Sequence, residues 1–103
     1  MQSRLYKSAH GGWACETIEP MEGGKNLRIT TMKRYSGRLC TTARAEKIEP
    51  SGMSTFQPFK DFSRTLIETD TRATARAVEA QHRAALMNIN SVIALAQAQE
   101  NAQ

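Results

Sequence analysis

Four side chains in this sequence could bind a metal ion or act as nucleophiles: His10, Cys15, Cys40 and His82. A zinc site needs such residues in close pairs, as in Cys-x-x-Cys or His-x-x-x-His, and neither spacing occurs. We therefore expect no metal site and no cofactor. We interpret His82 as a packed or interfacial histidine, and both cysteines as small buried hydrophobic side chains.

Other catalytic patterns are also missing. Gly23-Gly24-Lys25 superficially matches part of a nucleotide phosphate loop, but such a loop lies between a strand and a helix, and here a strand follows. No Gly-x-Ser-x-Gly occurs. The carboxylates of Glu16, Glu19 and Glu22 cluster near one predicted hairpin, where we expect them to pair with lysine or arginine. We therefore predict no catalytic residues and favour binding over enzymatic activity.

Positive charge is concentrated in the first part of the chain. Lysine and arginine total 14 against 10 aspartate and glutamate, a net charge of +4. Residues 1–60 hold ten basic and five acidic side chains, and residues 61–103 hold four and five. Arginine and tyrosine are typical anchors of macromolecular interfaces. The candidate partner-binding residues, on two neighbouring predicted strands, are Arg28, Lys33, Arg34, Tyr35, Arg38 and Arg44.

Two function classes fit this basic, aromatic segment. The first is protein binding, in which an adaptor or inhibitor docks its basic sheet and an apolar helix on a partner with an acidic surface. Small proteins of phages and plasmids that block a host complex have this character, and we include such an inhibitor in the hypothesis. The second is single-stranded nucleic-acid binding, in which arginine and lysine neutralise phosphates and aromatic rings stack on bases.

Glycine and proline divide the sequence, because all of them lie at or before Pro58. Turn signals with β-branched and aromatic residues between them are typical of successive hairpins, so the sheet should be antiparallel. Ser36-Gly37 fits a two-residue hairpin loop. The predicted strands are Arg4–Ala9, Trp13–Glu19, Asn26–Tyr35, Arg38–Ile48 and Met53–Gln57.

Alternation along two of these strands predicts which residues share a face. One face of the third strand carries Leu27, Ile29 and Thr31, and the other carries Arg28, Thr30 and Met32. In the fourth strand, one face carries Leu39, Thr41, Ala43 and Ala45, and the other carries Cys40, Thr42, Arg44 and Glu46.

Residues 59–103 contain ten alanines and neither glycine nor proline, a composition typical of helix. We predict one long C-terminal helix that begins between Lys60 and Thr65, with Thr69–Thr71 as its weakest stretch and a break or kink there as the alternative. Asn88–Ser91 is a second weak point. Unbroken, 40 residues would form a rod of roughly 60 Å, longer than a five-residue strand by more than threefold.

The excess length of this helix suggests that its distal part needs a partner. Two apolar stripes run along the predicted helix, one from Phe59 and the other from Val78, and they merge between Ala84 and Ala98. A helix apolar this far round is normally buried. We expect a homodimer, with folding back onto the sheet or into a helical hairpin as the alternative. The predicted self-association residues are Ala84, Met87, Ile89, Ile93 and Ala98.

The predicted fold class is α+β: an antiparallel meander of four to five strands, then one long helix. We expect a single domain over 1–103, with a sheet part at 1–58 and a helical part at 59–103. In layout alone this resembles whirly-type and Pur-type single-strand-binding folds. Without an apolar run of membrane length or a signal-peptide pattern, we expect a cytoplasmic protein with free thiols and no membrane partner.

Overall fold

A computed structural model of the chain describes residues 2–9 and 11–102. The described residues form six strands followed by two helices. The strands are β1 Ser3–Lys7, β2 Trp13–Pro20, β3 Lys25–Lys33, β4 Leu39–Ile48, β5 Ser54–Thr55 and β6 Ser63–Thr69. The helices are α1 Ala75–Leu86 and α2 Ile89–Asn101. The α+β class is confirmed.

The six strands make one curled antiparallel sheet. Strands β1 to β4 follow each other in chain order, and both β5 and β6 pair with the far side of β4. The β3–β4 pairing runs from Lys25↔Lys47 to Lys33↔Leu39 without a shift. The predicted antiparallel meander is therefore confirmed, and β6 adds a strand to it.

The hairpin turns follow the glycines. Gly23 and Gly24 both adopt φ of +87°, which glycine reaches without steric cost, and the N–H of Met21 donates to the carbonyl of Lys25. The β3–β4 loop is one residue longer than predicted, because the N–H of Arg34 donates to the carbonyl of Arg38 around three residues. Gly37, at φ +84°, closes this loop, as a three-residue hairpin requires.

The prediction that a helix begins between Lys60 and Thr65 is wrong. Residues 63–69 form β6, whose β-branched side chains at Thr65, Ile67 and Thr69 favour extended backbone. A register shift opposite Thr41 and Thr42 interrupts the alternation of β6, so the strand shows no clean two-residue period in the sequence. The sheet therefore extends past position 58 to Thr69, and the helical part begins only at Ala75.

The single long helix is also replaced by two short ones. Thr74 caps α1 by accepting a hydrogen bond from the N–H of Ala77 at 3.2 Å. The predicted weak point at Asn88 is where the helices separate. Helices of 12 and 13 residues match a molecule measuring 37 × 29 × 26 Å, so the 60 Å rod does not form.

Both helices pack on one face of the sheet, and the face assignments predicted for the third and fourth strands are confirmed. The helix side of β3 and β4 supplies Leu27, Ile29, Ala43 and Ala45 to the main core, all without exposed surface. From the rest of the chain this core receives Met21, Phe62, Ile89, Val92 and Ala96. A second cluster joins Cys15, Leu39 and Val78.

A buried histidine joins α1 to the sheet. His82 is 1% exposed and follows Val78 by one helical turn, so it lies on the buried side of α1. Its Nε2 lies 2.7 Å from the hydroxyl of Thr17 on β2, and its Nδ1 lies 2.8 Å from the hydroxyl of Thr31 on β3. The interpretation of His82 as a packed histidine is confirmed.

Gln81 determines the direction of the hydrogen bonds in this network. Its amide nitrogen donates to the carbonyl of Leu39 at 3.1 Å, and a carbonyl can only accept. The same nitrogen donates to the Thr41 hydroxyl at 3.2 Å, and the amide oxygen accepts from the Thr69 hydroxyl at 2.8 Å. The Thr41 hydroxyl therefore has its proton available for another acceptor.

The position of that proton determines which group donates in each remaining hydrogen bond. The Thr41 hydroxyl lies 2.6 Å from that of Thr31, to which it can donate, and Thr31 then donates to Nδ1 of His82. The neutral imidazole carries its proton on Nε2 and donates it to Thr17. A second proton on the ring would reverse this chain at Thr31, in a site that excludes water. Burial accordingly lowers the pKa of His82 below its usual range.

Acid should destabilise the fold through His82. The folded state binds fewer protons than the unfolded state between the two pKa values, so the free energy of unfolding falls as the pH drops below about 6.5. The loss is at most about 1.4 kcal/mol per pH unit and ends below the folded-state pKa. Urea titrations at pH 7 and 5.5 should show this slope in the wild type and in His10→Gln. His82→Gln should be less stable at pH 7 but should lack the slope, and equal slopes would contradict this assignment.

A second buried network connects the sheet to the C-terminal helix. The ammonium of Lys25 lies 2.7 Å from carboxylate oxygens of both Asp61 and Glu100. Burial raises the pKa of the Asp61 carboxyl, but the hydrogen bonds from Lys25 and from the N–H of Gln57 outweigh it and hold the pKa below its usual range. Glu100 also accepts from the N–H of Phe62 at 3.3 Å. Lys25 therefore fixes both α2 and the segment before β6.

Replacing Lys25 with methionine should lower the free energy of unfolding by about 3 kcal/mol, because two mostly buried carboxylates lose their cation. The matched control is Lys47→Met, since Lys47 lies 3.7 Å from Glu49 with its side chain 62% exposed. That change should cost under about 0.5 kcal/mol. Urea denaturation measures both, and equal losses would show that the buried network contributes nothing particular.

The two cysteines are buried free thiols, as predicted. Cys15 faces the helices in the second cluster, whereas Cys40 pairs with Met32 on the opposite face. Burial raises the pKa of both thiols, so the thiolate form is disfavoured.

Over residues 2–9 and 11–102, neither helix has the length and apolar character needed to cross a bilayer.

Candidate binding surface on the outer face of the sheet

The sheet face opposite the helices carries a trough of about 230 Å³, here called the outer trough. Alternation places Arg28, Thr30 and Met32 of β3 on this face, because Leu27, Ile29 and Thr31 point to the helices. Strand β4 adds Thr42 and Arg44. The remaining lining residues are Arg34, Glu46, Phe56, Ser63 and Thr65. The floor is rich in hydroxyl groups, with arginines towards both ends.

A chain of ion pairs crosses four strands at one end of the outer trough, and we call it the arginine–glutamate ladder. Glu16 of β2 lies 2.8 Å from both Arg4 of β1 and Arg28 of β3. Arg28 continues to Glu46 of β4 at 2.8 Å, and Glu46 lies 3.7 Å from Arg44. Arg28 is thus neutralised on two sides, while Arg44 is held only loosely.

The ion pairs of the ladder shift the pKa values of Glu16 and Arg28. Burial raises the pKa of Glu16, but the hydrogen bonds and charges of Arg4 and Arg28 outweigh it and hold that pKa below its usual range. Burial lowers the pKa of Arg28, but Glu46 and Glu16 outweigh it and raise that pKa. Glu16 and Arg28 therefore stay charged at neutral pH. The ladder stiffens the end of the trough and leaves little positive charge at Arg28 for a partner.

Arg44 and Arg34 are the arginines of the outer trough that the ladder does not neutralise. The guanidinium of Arg44 stacks on the ring of Phe56 at 3.8 Å, and its side chain is 43% exposed. Within the part of the chain that the structure describes, its Nε has no hydrogen-bond partner. Arg34 lines the other end of the trough and makes no ion pair with the described residues. A stacked guanidinium keeps its in-plane N–H groups free to bind an oxyanion.

The structure brings together three of the six predicted partner-binding residues, namely Arg28, Arg34 and Arg44. Lys33 instead lines a cleft on the helix side, beside Gly11, Gly12 and Asp70. Arg38 is paired with Glu68 at 2.8 Å and Asp70 at 2.7 Å. Tyr35 follows Arg34 in the hairpin loop and is 97% exposed.

Phe59 is a candidate that sequence reasoning missed, because it was assigned to an apolar helix stripe. Its side chain is completely exposed, and its φ is +68°, the left-handed region that favours glycine. Phe59 borders a second cavity, which shares Phe56 and Ser63 with the outer trough. The two cavities therefore form one continuous surface, and Phe59 stands at its edge.

Hydrogen bonds from three sides hold the turn around Phe59, here called the Phe59 turn and comprising residues 57–61. The N–H groups of Lys60 and Asp61 donate to the carbonyl of Gln57 at 3.2 and 2.9 Å. The buried Asp61 carboxylate accepts from the N–H of Gln57 at 2.7 Å. Gln99 of α2 donates to the carbonyl of Lys60 at 3.1 Å. The strained conformation is thus imposed by its surroundings.

The predicted self-association residues separate into two groups. Ile89 is 7% exposed in the core of its own chain, and Ile93 packs against that core. They face inward because α2 folds back on the sheet. Ala84, Met87 and Ala98 stay on the surface, and Met87 is 85% exposed. A homodimer through the helices remains a prediction, now without the excess helix length that motivated it.

No cluster of histidine, cysteine, aspartate and glutamate suited to a metal ion occurs among residues 2–9 and 11–102. His10 lies outside the described residues. Comparison of the chain with protein-family models, with curated proteins and with solved structures finds no match. The surface formed by the outer trough and the Phe59 turn is therefore the candidate functional site.

Replacing Phe59 with glycine should leave the fold intact and raise the free energy of unfolding by up to about 1 kcal/mol. Glycine removes the left-handed strain, and the exposed ring contributes no packing. Met53→Gly is the control, because Met53 is 70% exposed at an ordinary φ and should lose about 0.5–1 kcal/mol. Urea denaturation gives both values, and a loss above about 1 kcal/mol at Phe59 would mean that its ring does pack.

Proposed function

We propose that this chain is a small non-enzymatic protein that binds another protein, as an adaptor or inhibitor, through the outer trough and the Phe59 turn. The observation that carries the proposal is Phe59 itself. A fully exposed aromatic ring on a left-handed residue costs about 1–3 kcal/mol in the isolated chain and gives it no packing in return. Such strain is characteristic of binding sites.

Burial of the Phe59 ring against a partner can offset this strain. Burying a phenylalanine side chain is worth about 1.5–3 kcal/mol, and interfaces concentrate their energy in a few aromatic and arginine anchors. The Phe59 turn is already fixed by Asp61 and Gln99, so little conformational freedom is lost on binding. Phe59 is the proposed apolar anchor.

The charge of the outer trough supports an acidic partner. Two of the arginines that line it, Arg34 and Arg44, keep their positive charge for a partner, whereas Glu16 and Glu46 neutralise Arg28 at 2.8 Å. Charges of this kind select the partner and speed association more than they add affinity. The exposed helix residues Ala84, Met87 and Ala98 offer a second, apolar contact area, either for the same partner or for a second copy of the chain.

Single-stranded nucleic-acid binding is the second candidate. The observation in its favour is the Arg44–Phe56 stack, a pairing that also occurs where proteins hold unpaired bases. Against it, Arg28 is already occupied by Glu16 and Glu46. The layout resemblance to known single-strand-binding folds also weakens, since it depended on one long helix. Protein binding therefore stays ahead.

Affinity capture from the native cell or host tests the proposal. Immobilised wild-type protein should retain a specific partner, and Phe59→Gly and the double variant Arg34→Ala, Arg44→Ala should each retain at least about tenfold less, as expected for anchor residues. Arg76→Ala is the control, because Arg76 is exposed on α1, which packs on the opposite face of the sheet. If Arg76→Ala and Phe59→Gly reduce retention equally, or if neither reduces it, this surface is removed from the proposal.

A further inference from the structure

The charge balance of the outer trough indicates which part of a partner protein it binds, an inference that rests on the proposed function. Within the ladder, close ion pairs at 2.8 Å neutralise Arg4, Glu16, Arg28 and Glu46. The arginines that remain are Arg44, which lies 3.7 Å from Glu46, and Arg34 at the opposite end. The trough therefore presents two separate cations with a neutral floor between them.

We propose that the outer trough receives an extended acidic segment of the partner protein, with one carboxylate at Arg44 and another at Arg34. The guanidinium carbon of Arg44 lies over the Phe56 ring at 3.8 Å, and a stacked guanidinium keeps in-plane N–H groups for a carboxylate. Arg34 lies at the start of the hairpin loop and has the reach of a long, unpaired side chain.

The spacing of the two arginines sets the conformation of the segment. Arg44 pairs in register with Arg28, and Arg34 follows Arg28 by six residues on the same face. At about 3.3 Å per residue of strand, the two ends are roughly 20 Å apart. An extended peptide has the same rise, so carboxylates six residues apart match the trough. A volume of about 230 Å³ holds side chains and no helix, so the segment's backbone runs over the surface.

The floor specifies what lies between the carboxylates. The hydroxyls of Thr30, Thr42 and Thr65 and the thioether of Met32 line the middle of the trough. These groups suit small polar side chains, such as serine and threonine. They neither neutralise phosphates nor stack on bases, whereas a nucleic-acid strand places one phosphate on every nucleotide along this length. The neutral middle therefore favours a peptide.

The probes for the test are a labelled seven-residue peptide, Glu-Thr-Ser-Thr-Ser-Thr-Glu, its counterpart with glutamine at both ends, and a twelve-nucleotide oligo(dT). Fluorescence anisotropy at low salt should show binding of the acidic peptide, and at least tenfold weaker binding of the glutamine peptide. Arg34→Gln and Arg44→Gln should each weaken the acidic peptide about tenfold. Arg83→Gln, at an exposed arginine of α1, is the charge-matched control and should change nothing.

Each outcome decides the assignment. No binding of the acidic peptide, equal binding of the glutamine peptide, or tighter binding of oligo(dT) would overturn it. So would equal effects of Arg34→Gln, Arg44→Gln and Arg83→Gln. Circular dichroism checks that the variants fold. If the peptide fails while Phe59→Gly still abolishes capture, the trough assignment falls and the protein-binding proposal stands. If the peptide binds as expected while Phe59→Gly leaves capture unchanged, the trough assignment stands and Phe59 is removed as the apolar anchor of the proposed function.

Discussion

The contact between His82 and the threonines of the sheet is the constraint on which the architecture depends. It joins α1 to β2 and β3 through directed bonds of 2.7 and 2.8 Å, where an apolar contact would leave the helix freer to slide. Gln81 adds bonds to β4 and β6, so one turn of helix is hydrogen-bonded to four strands. With the helices held on one side, the other side of the sheet is left for the arginine–glutamate ladder and the outer trough.

The sheet was predictable from sequence where alternation and turn chemistry agree. Strands β3 and β4 alternate cleanly and end at glycines, so their faces were assigned correctly from Leu27 to Glu46. Strand β6 was not predictable in this way. It has no glycine or proline beside it, and its bulge disrupts the two-residue period. The alanine-rich segment after it is helical, so the helix prediction extended too far towards the N-terminus.

The candidate site was predictable only in part, for a related reason. Arginines at alternate strand positions share a face, which brought Arg28 and Arg44 together in the prediction. Which of them is free depends on glutamates from other strands, and cross-strand pairing of this kind needs the register. Predicting the exposure of Phe59 requires more than the register of the strands. Its exposure arises from a turn held by Asp61, a residue itself fixed by Lys25 thirty-six positions earlier. No local pattern contains that information.

The placement of the two thiols has a consequence for the environments that the fold tolerates. Cys15 and Cys40 project from opposite faces of the same sheet, so their Cβ atoms point apart. A disulfide needs Cβ atoms about 3.8 Å apart and converging, which the folded sheet forbids. Oxidants therefore find no intramolecular bridge to form, and burial hinders bridges between copies. The folded protein should therefore tolerate oxidising and reducing surroundings alike, whereas a Cys15–Cys40 bridge formed before folding would block the native sheet.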